Sequence, residues 1–157
     1  MTVRQWTDSD YQRLSEAIEL SRHCPPADGA YSVGAIIIDR NGEEMATGYS
    51  RELDPHVHAE EAALSKVVEK ESALTGATLY STLEPCSERK SRPLSCAQLI
   101  LASGIPRVVI AWREPSLFVA DCQGVETLTA AGVTVVEIPE LADVARRVNA
   151  HLPRLGP

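Results

Sequence analysis

His58-Ala59-Glu60, followed 26 positions after Glu60 by Cys86 and then by Cys96, sets one imidazole, two thiols and one uncommitted carboxylate in a single ordered run. Two sulfurs and an imidazole suit a borderline-soft cation, zinc above all, whereas calcium and magnesium prefer oxygen. Three protein ligands are the pattern of a catalytic zinc, which keeps its fourth position for water, while a structural zinc is closed by four. Glu60, two positions from His58, is then placed to take a proton from an attacking water and pass it to a leaving group. The competing reading has His58 capping or packing a helix while the two cysteines fill the core as free thiols. One such residue alone would favour that reading, but four roles in this order favour chemistry.

Elements must carry these groups to one point. Asp8 or Ser9 is a cap for a first helix running to about His23, with Leu14, Ala17, Ile18 and Leu20 as its apolar stripe and Pro25-Pro26 beyond it. The β-branched run over 33–38, then Asn41-Gly42, then residues 45–49 read as a hairpin. A second helix is predicted over 56–70 with His58 in its first turn, followed by a strand over 77–83 and a helix over 94–103 that carries Cys96 at its start. A strand over 107–112, a helix near 125–131, a strand over 133–138 and a terminal helix over 141–152 complete an α/β alternation with helices on both faces of a sheet. The ligands fall at a strand end and at helix starts, where such sheets bind their ligands.

The 157 residues, 44% of them hydrophobic, fit one domain over 1–157 with a sizeable core. A polar start and the lack of any run approaching the roughly 18 apolar residues of a membrane helix predict a soluble cytoplasmic protein. Cys24 and Cys122 are then reduced thiols. A net charge of −7 argues against a long nucleic acid as partner, because such binding draws on many phosphate contacts.

With these residues in place the chain resembles the zinc-dependent cytidine and deoxycytidylate deaminase superfamily. The resemblance rests on Val33-Gly34-Ala35, Gly48-Tyr49, His58-Ala59-Glu60, Thr82-Leu83-Glu84-Pro85-Cys86 and the later cysteine, in the family's order. It implies a three-layer α/β/α sandwich on a mixed five-stranded sheet. It implies one zinc per chain held by His58, Cys86 and Cys96, Glu60 as proton shuttle, and the amides of Ala59 and Cys86 near the reacting ring. The implied reaction is hydrolytic deamination of a pyrimidine-type amine, with water as cosubstrate and ammonia as product, in a homo-oligomer.

Nine residues, 87–95, separate the two cysteines, which is similar to the deaminases of the riboflavin pathway rather than to Pro-Cys-x-x-Cys members. Three positions that touch substrate in that group are altered: Ala30-Tyr31-Ser32 stands before the first strand, Glu88 after Pro-Cys-Ser, and Glu114-Pro115-Ser116 after the fourth strand. The catalytic set is intact and the recognition set changed, so the same reaction on a different ring is expected. Arg89, Lys90 and Arg92 either hold a substrate phosphate or carboxylate or form a solvated loop. His56 serves the metal's surroundings, the pocket or the solvent; Tyr31, Trp112 and Phe118 stack on a ring or pack the core. Two rival functions stand beside the deaminase. A zinc-stabilised binding module needs a fourth protein ligand, from Cys122, Cys24 or His56; a transfer-RNA deaminase needs a basic surface.

Overall fold

The computed structural model describes residues 4–89, 92–115 and 122–152. Helix α1 (Asp8–Ser21) starts at Thr7, whose Oγ1 accepts from Asp10 N while Asp10 Oδ2 accepts from Thr7 N. That reciprocal box places the cap at Thr7, one residue ahead of Asp8 and two ahead of Ser9, because an acid three residues after a threonine satisfies two amides at once. Strands β1 (Gly34–Ile38) and β2 (Glu44–Tyr49) form the expected hairpin, with Gly42 left-handed at the turn.

Helix α2 (Ala59–Ser65) is shorter than the predicted 56–70 span; a 3₁₀ turn (Val68–Lys70) and helix α3 (Glu71–Leu74) replace its second half. The adjacent pair Val67 and Val68 cannot both face inward: Val67 is buried and Val68 is 62% exposed. Strand β3 (Thr78–Leu83), helix α4 (Cys96–Ser103), strand β4 (Arg107–Trp112), helix α5 (Gly124–Ala130) and strand β5 (Thr134–Glu137) follow as expected. Helix α6 (Ala142–Val148) is trimmed against the predicted 141–152, because a 3₁₀ turn with Pro139 precedes it and Asn149 turns inward.

The five strands lie in the order β2-β1-β3-β4-β5, with β1 antiparallel to both neighbours and β3, β4 and β5 parallel. This is a mixed sheet, and two glycines show how it is covered. A Cβ at Gly34 would meet Ala17 O of α1 at 2.0 Å; one at Gly48 would meet Ala59 O and Ala63 N of α2 at 2.4 and 2.6 Å. Gly48 pairs with Ala35, the neighbour of Gly34, so the two glycines face opposite sides and so do α1 and α2. Helix α6 packs on α1; α4 packs on α2 and α5, giving three layers around one apolar core.

Backbone atoms cannot yield as a flexible side chain can. Gly48→Ala is therefore expected to destabilise by about 3 kcal/mol through overpacking and to push α2, with Glu60, off the sheet. Thermal melts and the zinc content of the purified variant check this.

Candidate functional site

The parallel strands β3 and β4 end on one side of the sheet, and the candidate site lies beyond those ends. His58 precedes α2 in extended conformation, and its N–H donates to Glu61 Oε1 at 3.3 Å. Cys86 follows β3, and Cys96 opens α4, fixed by a capping box between Ser95 and Gln98. Cys96 N donates to Cys86 Sγ at 3.2 Å and Ala97 N to Cys86 O at 3.0 Å, so the start of α4 grips the residue that ends the strand.

His58 Nδ1 lies 3.6 Å from Cys86 Sγ and 3.3 Å from Cys96 Sγ, and the three atoms fall within 4.8 Å of one another. A tetrahedral zinc at roughly 2.3 Å from sulfur and 2.0 Å from nitrogen separates the two by about 3.5 Å, so the donor set fits the ion. The titration behaviour agrees. The hydrogen bond from Cys96 and the neighbouring imidazole hold the Cys86 thiol down at about 4, against burial. The same pairing, with burial, pushes Cys96 well up. Burial works against a charged His58, but the Cys86 thiolate outweighs it and raises the imidazole. One thiolate forms readily; the second needs a cation.

Glu60 is buried on α2, and Ser81 Oγ donates to its Oε1 at 2.5 Å. Ser81 pairs with Ala35 across β1 and β3, so it faces the same side as Gly48 and reaches α2 from below. A cavity of about 400 Å³ opens over this group, lined by His58, Ala59, Glu60, Leu83, Glu84 and Cys86. Tyr31, Arg51, His56, Glu88, Arg89 and Glu114 also line it. Burial pushes the Glu114 carboxyl up to about 7, against a hydrogen bond with Cys122.

The structure thus brings Ala59, Glu88, Arg89 and Glu114 to the cavity, and with them His56. Ser32 and Trp112 stand behind its wall. Ser32 is buried, its N–H donating to Asn149 Oδ1 at 2.7 Å. Trp112 is buried with Tyr31 edge-on at 6.0 Å and the Arg146 guanidinium 5.5 Å from its ring centre, so it packs core while Tyr31 meets the cavity. The basic loop is engaged within the chain. Arg89 pairs with Glu61 at 3.1 Å and donates to His56 O at 2.8 Å; Arg92 pairs with Glu61 at 3.3 Å and with Asp54. Lys90, Ser116 and Phe118 lie outside the described residues.

Sequence reasoning passed over Ser81, Glu61, Arg51 and Asn149, and gave Glu84 no role beyond its place in a motif. Ser81 is buried in β3 beside the equally buried Thr82, so no local pattern singled it out. Glu84 is buried, and its carboxylate accepts from Glu114 N at 3.0 Å and Val125 N at 2.9 Å, tying the ends of β3 and β4 to the start of α5. Gly124 makes this possible, since a Cβ there would meet Pro85 O at 1.9 Å.

Residues 7–112 match the family described as the cytidine and deoxycytidylate deaminase zinc-binding region. The diaminohydroxyphosphoribosylamino-pyrimidine deaminase of Schizosaccharomyces pombe is 41% identical over 145 residues, covering 90% of this chain and 35% of that protein. The riboflavin biosynthesis protein RibD of Aquifex aeolicus is 35% identical over 90% of this chain and 37% of its own. The chain therefore spans just over a third of the length of these curated relatives. Among solved structures, the C-terminally deleted Rib2 deaminase of Aspergillus oryzae superposes with a TM-score of 0.82 at 26% identity, covering 94% of this chain and 95% of that one. The motif order, the mixed sheet with its His-Cys-Cys cluster and these matches agree: the chain belongs to the cytidine and deoxycytidylate deaminase zinc-binding family.

Proposed function

We propose that this protein is a zinc-dependent hydrolase that converts an exocyclic ring amine of a pyrimidine-type substrate to a carbonyl and releases ammonia. The observation that carries the reading is the convergence of His58, Cys86 and Cys96 beside the buried carboxylate of Glu60 on one cavity. Zinc supplies, when bound by those three residues, the Lewis acidity that makes water a nucleophile near neutral pH. Glu60 receives the proton of the attacking water and delivers it to the departing amine, and Ser81 fixes the carboxylate for both transfers. Burial of Glu60 excludes bulk water from that relay. One zinc per chain is the expected content.

The diaminopyrimidine with a phosphoribosylamino group, which the S. pombe relative's name describes, is the first substrate to test. The altered positions Glu88 and Glu114 line the cavity and make other pyrimidines the necessary comparison. A zinc-stabilised module without catalysis is disfavoured, because among the described residues the cluster has three members and Cys24, Cys122 and His56 stand outside it. The charge of −7 disfavours a transfer-RNA substrate. No described helix is long and apolar enough to cross a membrane, and the free thiols of the described cysteines suit a reducing cytoplasm. Light scattering checks the homo-oligomer expected from the family.

The test is ammonia release from that diaminopyrimidine, cytosine, cytidine, the cytidylates and guanine, before chelation, after it and after zinc is restored. Release that disappears with the metal and returns with zinc is the expected result. Stoichiometric zinc without release from any of them would sink the proposal.

A further inference from the structure

Arg51 is the one residue other than glycine with positive φ among the described residues, at 63°, a conformation that an arginine rarely adopts. The strained backbone aims its side chain into the wall of the cavity beside Tyr31 and Ser50. Its guanidinium donates to Pro25 O at 2.9 Å, Tyr31 O at 3.1 Å and Ser32 Oγ at 3.2 Å. All three acceptors are neutral. A guanidinium has five N–H groups, so one on each terminal nitrogen is left over.

The charge is also unbalanced. Arg89 and Arg92, the two described cations of the intercysteine loop, are matched by the two carboxylates of Glu61 and Asp54. Arg51 has no ion pair with an acidic side chain among the described residues, and burial opposes its charge. A half-buried cation that a cavity keeps without a counter-ion is provided for an anion that arrives with the ligand.

We propose that Arg51 anchors the phosphate of a phosphorylated pyrimidine substrate through its remaining N–H groups and so sets the enzyme's preference for nucleotide-like over phosphate-free rings. This rests on the deaminase reading above for the ring, but not for the anion. The rival role is a clamp alone, holding the backbone at Tyr31 and Ser32 in place. Asn149 clamps the same segment from α6, accepting from Ser32 N and donating to Ser32 O at 3.1 Å, and it brings no charge.

The experiment compares Arg51→Gly, Arg51→Lys and Asn149→Ala in the zinc-loaded protein. Glycine accepts the left-handed backbone without strain, so Arg51→Gly is expected to keep the fold by circular dichroism. It should raise KM for the phosphoribosylamino diaminopyrimidine about 10- to 100-fold, the factor for a lost hydrogen bond to a charged group, with kcat nearly unchanged. KM for the dephosphorylated riboside should stay at the parent value. Arg51→Lys should recover part of the loss, and Asn149→Ala should affect both substrates alike. Equal losses on both substrates in Arg51→Gly, or the same selective loss in Asn149→Ala, would overturn the proposal. Ribose 5-phosphate binding by calorimetry separates the two readings. Binding that vanishes in Arg51→Gly upholds the anion site even if no ring is deaminated; turnover indifferent to phosphate removes the anion site and leaves the deaminase standing.

Discussion

Glu60→Gln is expected to lower kcat by about 10³-fold while zinc content and melting temperature stay close to those of the parent. The magnitude is that of a lost proton shuttle. Glutamine keeps the shape of the side chain, and its amide oxygen can still accept from Ser81 Oγ, which lies 2.5 Å from the native carboxylate. Metal should be retained because the cluster that would hold it is His58, Cys86 and Cys96, without Glu60. Ammonia release, metal analysis by mass spectrometry and circular dichroism check the three parts together. A variant that turns over at near the parent rate removes Glu60 from the mechanism. One that loses its zinc shows instead that the carboxylate holds the metal site together.

The second large effect is on stability, at the other side of the sheet. Asp10 in α1 is buried, and its carboxylate accepts from Arg107 at 2.9 and 2.7 Å, from Tyr80 Oη at 2.7 Å and from Thr7 N at 2.9 Å. Burial alone would raise this carboxyl, but the Arg107 guanidinium, the Thr7 amide and the Tyr80 hydroxyl outweigh it and hold it well below the usual carboxylate range. Asp10→Asn leaves the Arg107 charge without its partner and is expected to cost about 3 kcal/mol, the low end for breaking a buried pair because Arg107 is 28% exposed. In a chain of this length that lowers Tm by roughly 6–12 °C. The sign of the pH dependence follows from a folded value below the unfolded one. The stabilisation is complete above the unfolded value of 3.8 and is lost as pH falls from there towards the folded value. Melts from pH 8 to pH 3 should show a constant gap between parent and variant down to about pH 4, narrowing below it. A gap that widens in acid contradicts the assignment.

These two sites differ in how far they could be read from the chain. His58, Glu60, Cys86 and Cys96 were legible because metal chemistry restricts residue type and order. Strands β1 and β4 were legible because they are buried nearly throughout and read as apolar runs. The Asp10 cluster was not, since it joins residues 70 and 97 positions apart through a sheet register that no local pattern encodes. The partners of the basic loop were hidden for the same reason: Asp54 and Glu61, which engage Arg92 and Arg89, are distant in sequence. Trp112 at a strand end was compatible with cavity or core, and only the packing of Tyr31 and Arg146 around it decides for the core.

Glu84 carries a consequence for how such a protein can diverge. One carboxylate fastens the amides of Glu114 and Val125, so the chain between those two residues departs from and returns to fixed anchor points next to Cys86. Both anchors are held by Glu84 itself, so the position of the neighbouring sulfur is tied to this one carboxylate. A change of substrate preference that left Glu84 in place would leave those anchors, and the His-Cys-Cys cluster beside them, undisturbed.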